Sequence, residues 1–417
     1  MDIQRTRTLH KLIRKKHNGL IKVITGLRRV GKSYLLNTLF YDHLRASGVD
    51  ENHIIKIALD TSEGENISTP KDLISAIQSK ITDTAMHYIL IDEIQMLDRF
   101  ETALNTLLYE RNLDIYVTGS NSKFLSSDIL TEFRGRGDEI HVYPLSFAEF
   151  MSVYPGDKYE GFTDYLTYGG LPLSVLQEDA EDREAYLKTL FKETYLKDII
   201  TRNKIRNTPA LETLTDILAS QTGSLTNPKR IADTFASVEH TTISPVTIQT
   251  YIHALEDAFL ISCAKRYNIR GRQYIGSPQK YYFEDIGLRN ARLSFRQYEE
   301  TYLMENALYN ELRMRGFNVD VGVVEKSAKD KNGKSVRKSL EVDFVANKGN
   351  KRYYIQSALS LRESGKMEQE KNSLANIDDS FKKIIVTADI VRPHRDETGI
   401  LVMSVYDFLL REESMDE

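Results

Sequence analysis

Residues Gly26-Leu27-Arg28-Arg29-Val30-Gly31-Lys32-Ser33 set two glycines, a lysine and a hydroxyl at the spacing that cradles phosphate. The run follows an apolar stretch, Leu20 to Thr25, and opens into the helix-like YLLNTLFYDHL, the strand–loop–helix setting such a loop needs. Gly26 and Gly31 allow a tight turn that points several backbone N–H groups inward. The helix start adds partial positive charge. Lys32 is placed to reach β- and γ-phosphates and the Ser33 hydroxyl to hold Mg²⁺. The segment Gly26, Leu27, Arg28, Arg29, Val30, Gly31, Lys32, Ser33, Tyr34 is therefore the expected binding segment for ATP with Mg²⁺. Arg28 and Arg29 have no assigned part; they face either a neighbouring subunit or solvent.

A second piece of the same chemistry lies downstream. His87 to Ile91 is an apolar run closed by Asp92-Glu93. If this strand is parallel to the one before the loop, its C-terminal acids arrive at the same sheet edge. Asp92 then joins the Mg²⁺ shell and Glu93 polarises an attacking water. Asp114 to Thr118 reads as a further strand ending in Gly119-Ser120-Asn121-Ser122, where a polar side chain at the tip can hold that water. With Ile54 to Leu59 and Glu139 to Tyr143, five strands alternate with helical segments. One of these is Leu73 to Ile81, opened by Pro70 and Asp72. The pattern implies an α/β fold, a parallel sheet covered by helices on both faces.

Composition bounds the rest. A chain of 417 residues, 41% hydrophobic, can bury two or three cores. Its net charge of -4 gives no global pull toward nucleic acid or acidic membranes, although basic residues cluster locally. The N-terminal stretch 3–17 reads as a basic amphipathic helix, and Lys326 to Lys338 as a basic loop. Cys263 is the single cysteine, which excludes an internal disulfide and fits a reducing compartment. No run approaches the length of a membrane span, and the N-terminus lacks a signal-peptide core, so a cytoplasmic protein with no membrane partner is expected.

The segments GLRRVGKS, YILIDEIQ, VTGSNS, FRGRG and YPLSFAEF together resemble an AAA+ ATPase. More narrowly, they are similar to a bacterial AAA+ group whose core precedes a C-terminal domain of unknown function. That similarity continues through YLTYGGLP, TYLKDIITRNKI, PQKYYFEDIGLRN and EVDFV, nearly the whole chain. The resemblance implies sensor 1 at Ser120, with Asn121 as alternate, and an arginine finger at Arg136, with Arg134 as alternate. A finger acting on a neighbour's nucleotide implies a homo-oligomer, and rings of six are common in the superfamily. The expected organisation is an ATPase core at 1–150, a helical lid or connector at 151–210, a winged-helix-like domain at 211–297, and an α/β nuclease-like domain at 298–417.

Within 211–297, two short helices precede FLISCAKRY, a Gly/Arg-rich turn and KYYFED, an order that looks like a winged helix. The second helix offers Thr247, Gln249, Thr250 and His253 but no Arg or Lys, which disfavours base readout. The hairpin carries Lys265, Arg266, Arg270 and Arg272, suited to DNA phosphates. A protein-binding winged helix remains the alternative. In the last block, a helix bearing Glu305, then Asp343 in EVDF, then a third strand, resembles the PD-(D/E)xK nuclease fold. Where that pattern needs a carboxylate and a lysine, this chain has Gln356 and Ala358, so the site reads as vestigial. Lys366 is the one nearby substitute.

Overall fold

The computed structural model describes residues 3–62, 64–119, 135–238, 241–329, 335–362 and 365–417. The chain divides into two units. One is Met1–Leu145 with Asp257–Phe259, the other Ser146–Glu256 with Leu260–Glu417.

Five short apolar runs build the first unit: β1 (Ile21–Thr25), β2 (Ile54–Ala58), β3 (His87–Asp92), β4 (Leu113–Thr118) and β5 (Gly137–His141). All pair in parallel, in the order β2-β3-β4-β1-β5. Every residue of β1, β3 and β4 is buried, the unalternating pattern of strands covered on both faces. On one face Val23, Ile89, Ile91 and Ile115 pack with Leu73, Ile77, Phe100 and Leu104 from the helices Pro70–Gln78 and Phe100–Leu107. The first of these helices starts where the sequence implies. Thr69 accepts from the Asp72 N–H while Asp72 bonds back to Thr69, and Pro70 takes the first turn, where no amide donor is needed. Parallel pairing delivers Thr25, Asp92 and Thr118, the last residues of three neighbouring strands, to one edge.

The basic N-terminal stretch forms a helix only over Thr6–Arg14. Part of its charge serves this unit. Arg5 is buried and donates to the carbonyls of Val30, 3.4 Å away, and Tyr143, and Lys15 pairs with Asp138.

Among the described residues the second unit holds eight strands. They are β6 (Ile261–Asn268), β7 (Gln273–Phe283), β8 (Asn318–Lys329), β9 (Ser335–Lys348), β10 (Lys351–Ala358), β11 (Lys382–Thr387), β12 (His394–Arg395) and β13 (Leu401–Ser404). Their order is β12-β13-β11-β10-β9-β8-β6-β7. β8, β9 and β10 run antiparallel; β10, β11 and β13 run parallel, with the helix Lys366–Ala375 crossing between β10 and β11. The helix Glu300–Met314 lays Leu303, Met304, Leu308 and Leu312 on one face over Val321, Phe344 and Ile355. On the other face Leu374 packs with Val342, Tyr354 and Ile385.

Three helices, Thr208–Ser220, Pro228–Val238 and Pro245–Asp257, precede the β6–β7 hairpin, and Thr226 bridges Gln279. This hairpin is not a free wing. β6 lies between β7 and β8, pairing in parallel with β8 through Arg266↔Val321 to Asn268↔Val323. The division expected at 297/298 therefore runs inside one continuous sheet. Two segments quoted above meet here. The Asp285 carboxylate accepts from the Gly170 and Leu288 N–H groups, and the Asn290 amide donates to the carbonyls of Leu166 and Thr167. Gly287 sits so close to Tyr168 that a Cβ would lie 2.1 Å from its carbonyl oxygen. Among the described residues no helix is long and apolar enough to cross a membrane.

Candidate functional site

The phosphate-loop residues are positioned by β1 and by the helical run that follows them. Gly26 has φ 133°, and a Cβ there would lie 2.2 Å from the Val142 carbonyl oxygen, so only glycine fits. Gly31 at φ 94° and Arg29 at φ 62° complete the turn. Helical turns then continue through Lys32–Tyr34, a π-helical stretch Leu35–Phe40, and Tyr41–Ala46. Lys32 is buried, and its ammonium donates to the Gly26 and Leu27 carbonyls at 3.0 and 2.8 Å, at the mouth of the loop.

Asp92 is the hub of this edge. Its Oδ1 accepts from Ser33 Oγ at 3.1 Å and from the Thr118 hydroxyl, and its Oδ2 accepts from Asn37 Nδ2 at 3.2 Å. Glu93 adopts a left-handed backbone, φ 52°, which lets its N–H bond Thr118 Oγ1 at 3.0 Å; its carboxylate accepts from the Gln95 amide. Ser33 and Asp92 thus converge as oxygen donors, the set a hard cation such as Mg²⁺ takes. Neither Thr118 nor Asn37 was expected from sequence. Register pairs Ile91 with Val117, so Thr118 must lie beside Asp92, and Asn37 follows Ser33 by one helical turn.

Ser120, Asn121 and Arg134 lie outside the described residues. Arg136 is exposed. Its guanidinium rests over the Tyr109 ring, 5.4 Å from the centroid, and its carbonyl accepts from the Ile21 N–H. Ile21 begins β1 and Gly26 follows its end, so about 16 Å of strand separates Arg136 from its own phosphate loop. It is placed away from the nucleotide edge of its own sheet.

In the second unit the four hairpin cations have different settings. Lys265 and Arg272 are exposed and Arg266 is half-buried. Arg270 is committed internally, donating to the Glu325 and Asn376 carbonyls and pairing with Asp378 at 3.0 Å. The phosphate-facing surface is narrower than the sequence implied.

The carboxylates expected as a vestigial nuclease site gather around a lysine that residue type alone did not single out. Lys280, on β7, places its ammonium 2.8 Å from Glu305, 2.9 Å from Glu341 and 3.9 Å from Asp343. Tyr282 donates to Glu305 at 2.6 Å, and the Ser357 N–H donates to Asp343 at 2.8 Å. Burial, then the neighbouring Glu305 charge, pushes the Asp343 carboxyl up to about 8. Burial works against charge on Lys280, but the three carboxylates outweigh it and hold the ammonium more tightly protonated than usual. Gln356 instead accepts from Ser373 at 3.3 Å, and Lys366 pairs with Glu370 on its own helix.

Two domain families match this chain. Residues 18–151 match an AAA domain and residues 159–299 match a domain of unknown function. An uncharacterised protein of Haemophilus influenzae is 34% identical over 415 residues, covering 98% of this chain and 99% of its own. This chain belongs to that protein's family. A second uncharacterised relative, from Methanocaldococcus jannaschii, is 28% identical over 369 residues, 84% of this chain and 77% of its own. The match to an AAA domain over residues 18–151 agrees with the parallel sheet and the glycine-rich loop of the first unit.

Among solved structures, the Aeropyrum pernix ORC1 protein in complex with DNA aligns with a TM-score of 0.32 at 11% identity. That alignment covers 69% of this chain and 91% of that one. AMPPCP-bound DnaA from Aquifex aeolicus aligns with a TM-score of 0.28 at 12% identity, covering 60% and 86%. At such scores no residue of the site is carried across.

Proposed function

We propose that this protein is a Mg²⁺-dependent ATPase that acts as an oligomer and couples its nucleotide state to engagement of DNA. The observation that carries the reading is the convergence of Ser33 and Asp92 at the mouth of a phosphate loop that holds Lys32. In this reading the loop N–H groups and Lys32 bind and orient the triphosphate. Mg²⁺, held by Ser33 and Asp92, supplies charge neutralisation at the phosphate oxygens. Glu93, fixed by Thr118 and Gln95, orients the water and takes its proton. Thr118 braces the Asp92 carboxylate and the Glu93 backbone, while Ser120, or Asn121, holds the water as sensor 1. Arg136, remote from its own loop, serves the site of an adjoining copy. Lys265 and Arg272 supply the exposed charge for a DNA backbone.

Two measurements test this. Glu93→Gln should lower ATP turnover by about 10²-fold or more while ATP still binds; undiminished turnover removes Glu93 from the chemistry. Duplex DNA affinity should fall with salt at a log–log slope of about −0.9 for each phosphate neutralised, and Lys265→Ala should make the slope shallower by roughly one. A flat response with co-purifying protein favours a nucleotide-controlled scaffold for protein partners instead. The Glu305–Glu341–Asp343 cluster, neutralised by Lys280, reads as a structural centre rather than a nuclease site.

A further inference from the structure

The edge of the first sheet where the strands begin carries a second set of donor side chains. His53 closes a short turn, Glu51–His53, immediately before β2, and His87 is the first residue of β3. β2 and β3 are neighbours with Ile54 opposite Tyr88, so register alone sets the two histidines side by side. Their rings stand 4.7 Å apart, nearly perpendicular at 80°. Asp83 lies in the loop between the helix Pro70–Gln78 and β3, and its Oδ2 is 2.9 Å from His53 Nε2. Each of the three offers one ligand atom, and all three atoms lie within 4.8 Å of one another.

The tautomer of His87 suits a ligand. Its Nδ1 is 2.8 Å from the Ala85 carbonyl oxygen, which can only accept, so the ring proton sits on Nδ1 and the Nε2 lone pair is directed elsewhere. A backbone carbonyl on the far nitrogen is the usual support of a metal-bound imidazole, fixing ring orientation and raising basicity. The contact at His87 Nε2 is the Thr82 N–H at 3.4 Å, a long and weak bond. His87 is fully buried, His53 shows 22% of its side chain and Asp83 shows 50%, so the set opens to solvent on one side.

We propose that His53, Asp83 and His87 form a site for a zinc-class divalent cation. Two imidazole nitrogens and one carboxylate oxygen suit Zn²⁺ and Co²⁺, whereas Mg²⁺ and Ca²⁺ take oxygen ligands. Three protein ligands leave a fourth position for water. β3 runs six residues from His87 to Asp92, so the site lies about 16–20 Å from the nucleotide edge and takes no part in phosphate chemistry. Its role is a clip. It ties the loop 79–86 to the starts of two adjacent strands, one of which carries Asp92 and Glu93. This stands whether or not the ATPase reading does.

The test uses the full chain after chelator treatment, in excess Mg²⁺ so that oxygen-only sites are filled. Zn²⁺ binding is measured by calorimetry, and Co²⁺ binding by its visible ligand-field absorption. One site per chain is expected, unaffected by Asp92→Asn. His53→Gln and Asp83→Asn, both at partly exposed positions, should each weaken Zn²⁺ by roughly 100-fold or more, beyond what loss of an outer-shell partner costs. Zn²⁺ should also raise the melting temperature of the wild type and not of Asp83→Asn. Absence of a Co²⁺ band, or Zn²⁺ affinity unchanged in both variants, overturns the assignment.

Discussion

Replacing Asp343 by asparagine should change how stability depends on pH. The Asp343 carboxyl is 8% exposed, accepts from the Ser357 N–H at 2.8 Å and lies 3.9 Å from the Lys280 ammonium. Burial and the Glu305 charge move it from the ordinary 3.8 to about 8. The folded chain therefore holds a proton that the unfolded chain releases near pH 4. The sign follows: stability from this group is complete below about pH 4 and is lost as pH rises through about 8. At full extent that displacement corresponds to about 6 kcal/mol. The Asp343→Asn amide keeps an acceptor for Ser357 and resembles the protonated acid, so the variant lacks this loss. Asp285, which burial raises to about 6, titrates in the same direction in both proteins and cancels in their difference. Urea midpoints followed by far-ultraviolet circular dichroism, across roughly pH 4 to 9, should show the variant gaining steadily on the wild type. A difference that stays constant across that range refutes the reasoning and leaves Asp343 ionised beside Lys280.

Thr118→Val keeps the shape of the side chain but removes one of the two hydroxyl donors to Asp92 Oδ1 and the acceptor of the Glu93 N–H. It should cost about 1–3 kcal/mol in unfolding measurements and lower ATP turnover as well. Unchanged turnover would take Thr118 out of the site. Arg136→Ala should cut turnover by about 10³-fold or more with ATP binding nearly intact. Mixing those subunits with Glu93→Gln subunits should restore part of the activity in a steady-state assay, and no recovery on mixing argues against a shared site.

The nucleotide edge was legible because two simple rules locate it. A glycine–lysine–serine loop must follow a strand, and parallel pairing carries the acids of another strand to the same edge. Ser33 and Asp92 accordingly meet. Thr118 was not legible from residue type, since a threonine ending a strand is common; only the register of β3 against β4 shows what it faces. Lys280 was missed for a topological reason. It lies on a strand read as part of a separate wing, and nothing local indicates that this strand joins the sheet carrying Asp343. Gln356 illustrates the reverse. Its place on the third strand suggested membership of the acidic cluster, yet its amide oxygen is taken by Ser373. The charged hairpin likewise read as surface, while Arg270 in fact fastens the β6–β7 turn to β8 and to the loop after the helix Lys366–Ala375.

The parallel pairing of β6 with β8 bears on how this family can be cut and recombined. A chain ending near residue 299, where the match to the domain of unknown function stops, would keep β6 and β7 but lose β8 to β13. The N–H and carbonyl groups of Arg266 to Asn268 would then form an open edge, a template for pairing with another copy. Lys280 and Tyr282 would also lose Glu305, leaving an unneutralised ammonium and a phenol facing water. A fragment of residues 159–299 alone would therefore lack β8, the strand with which its own hairpin pairs.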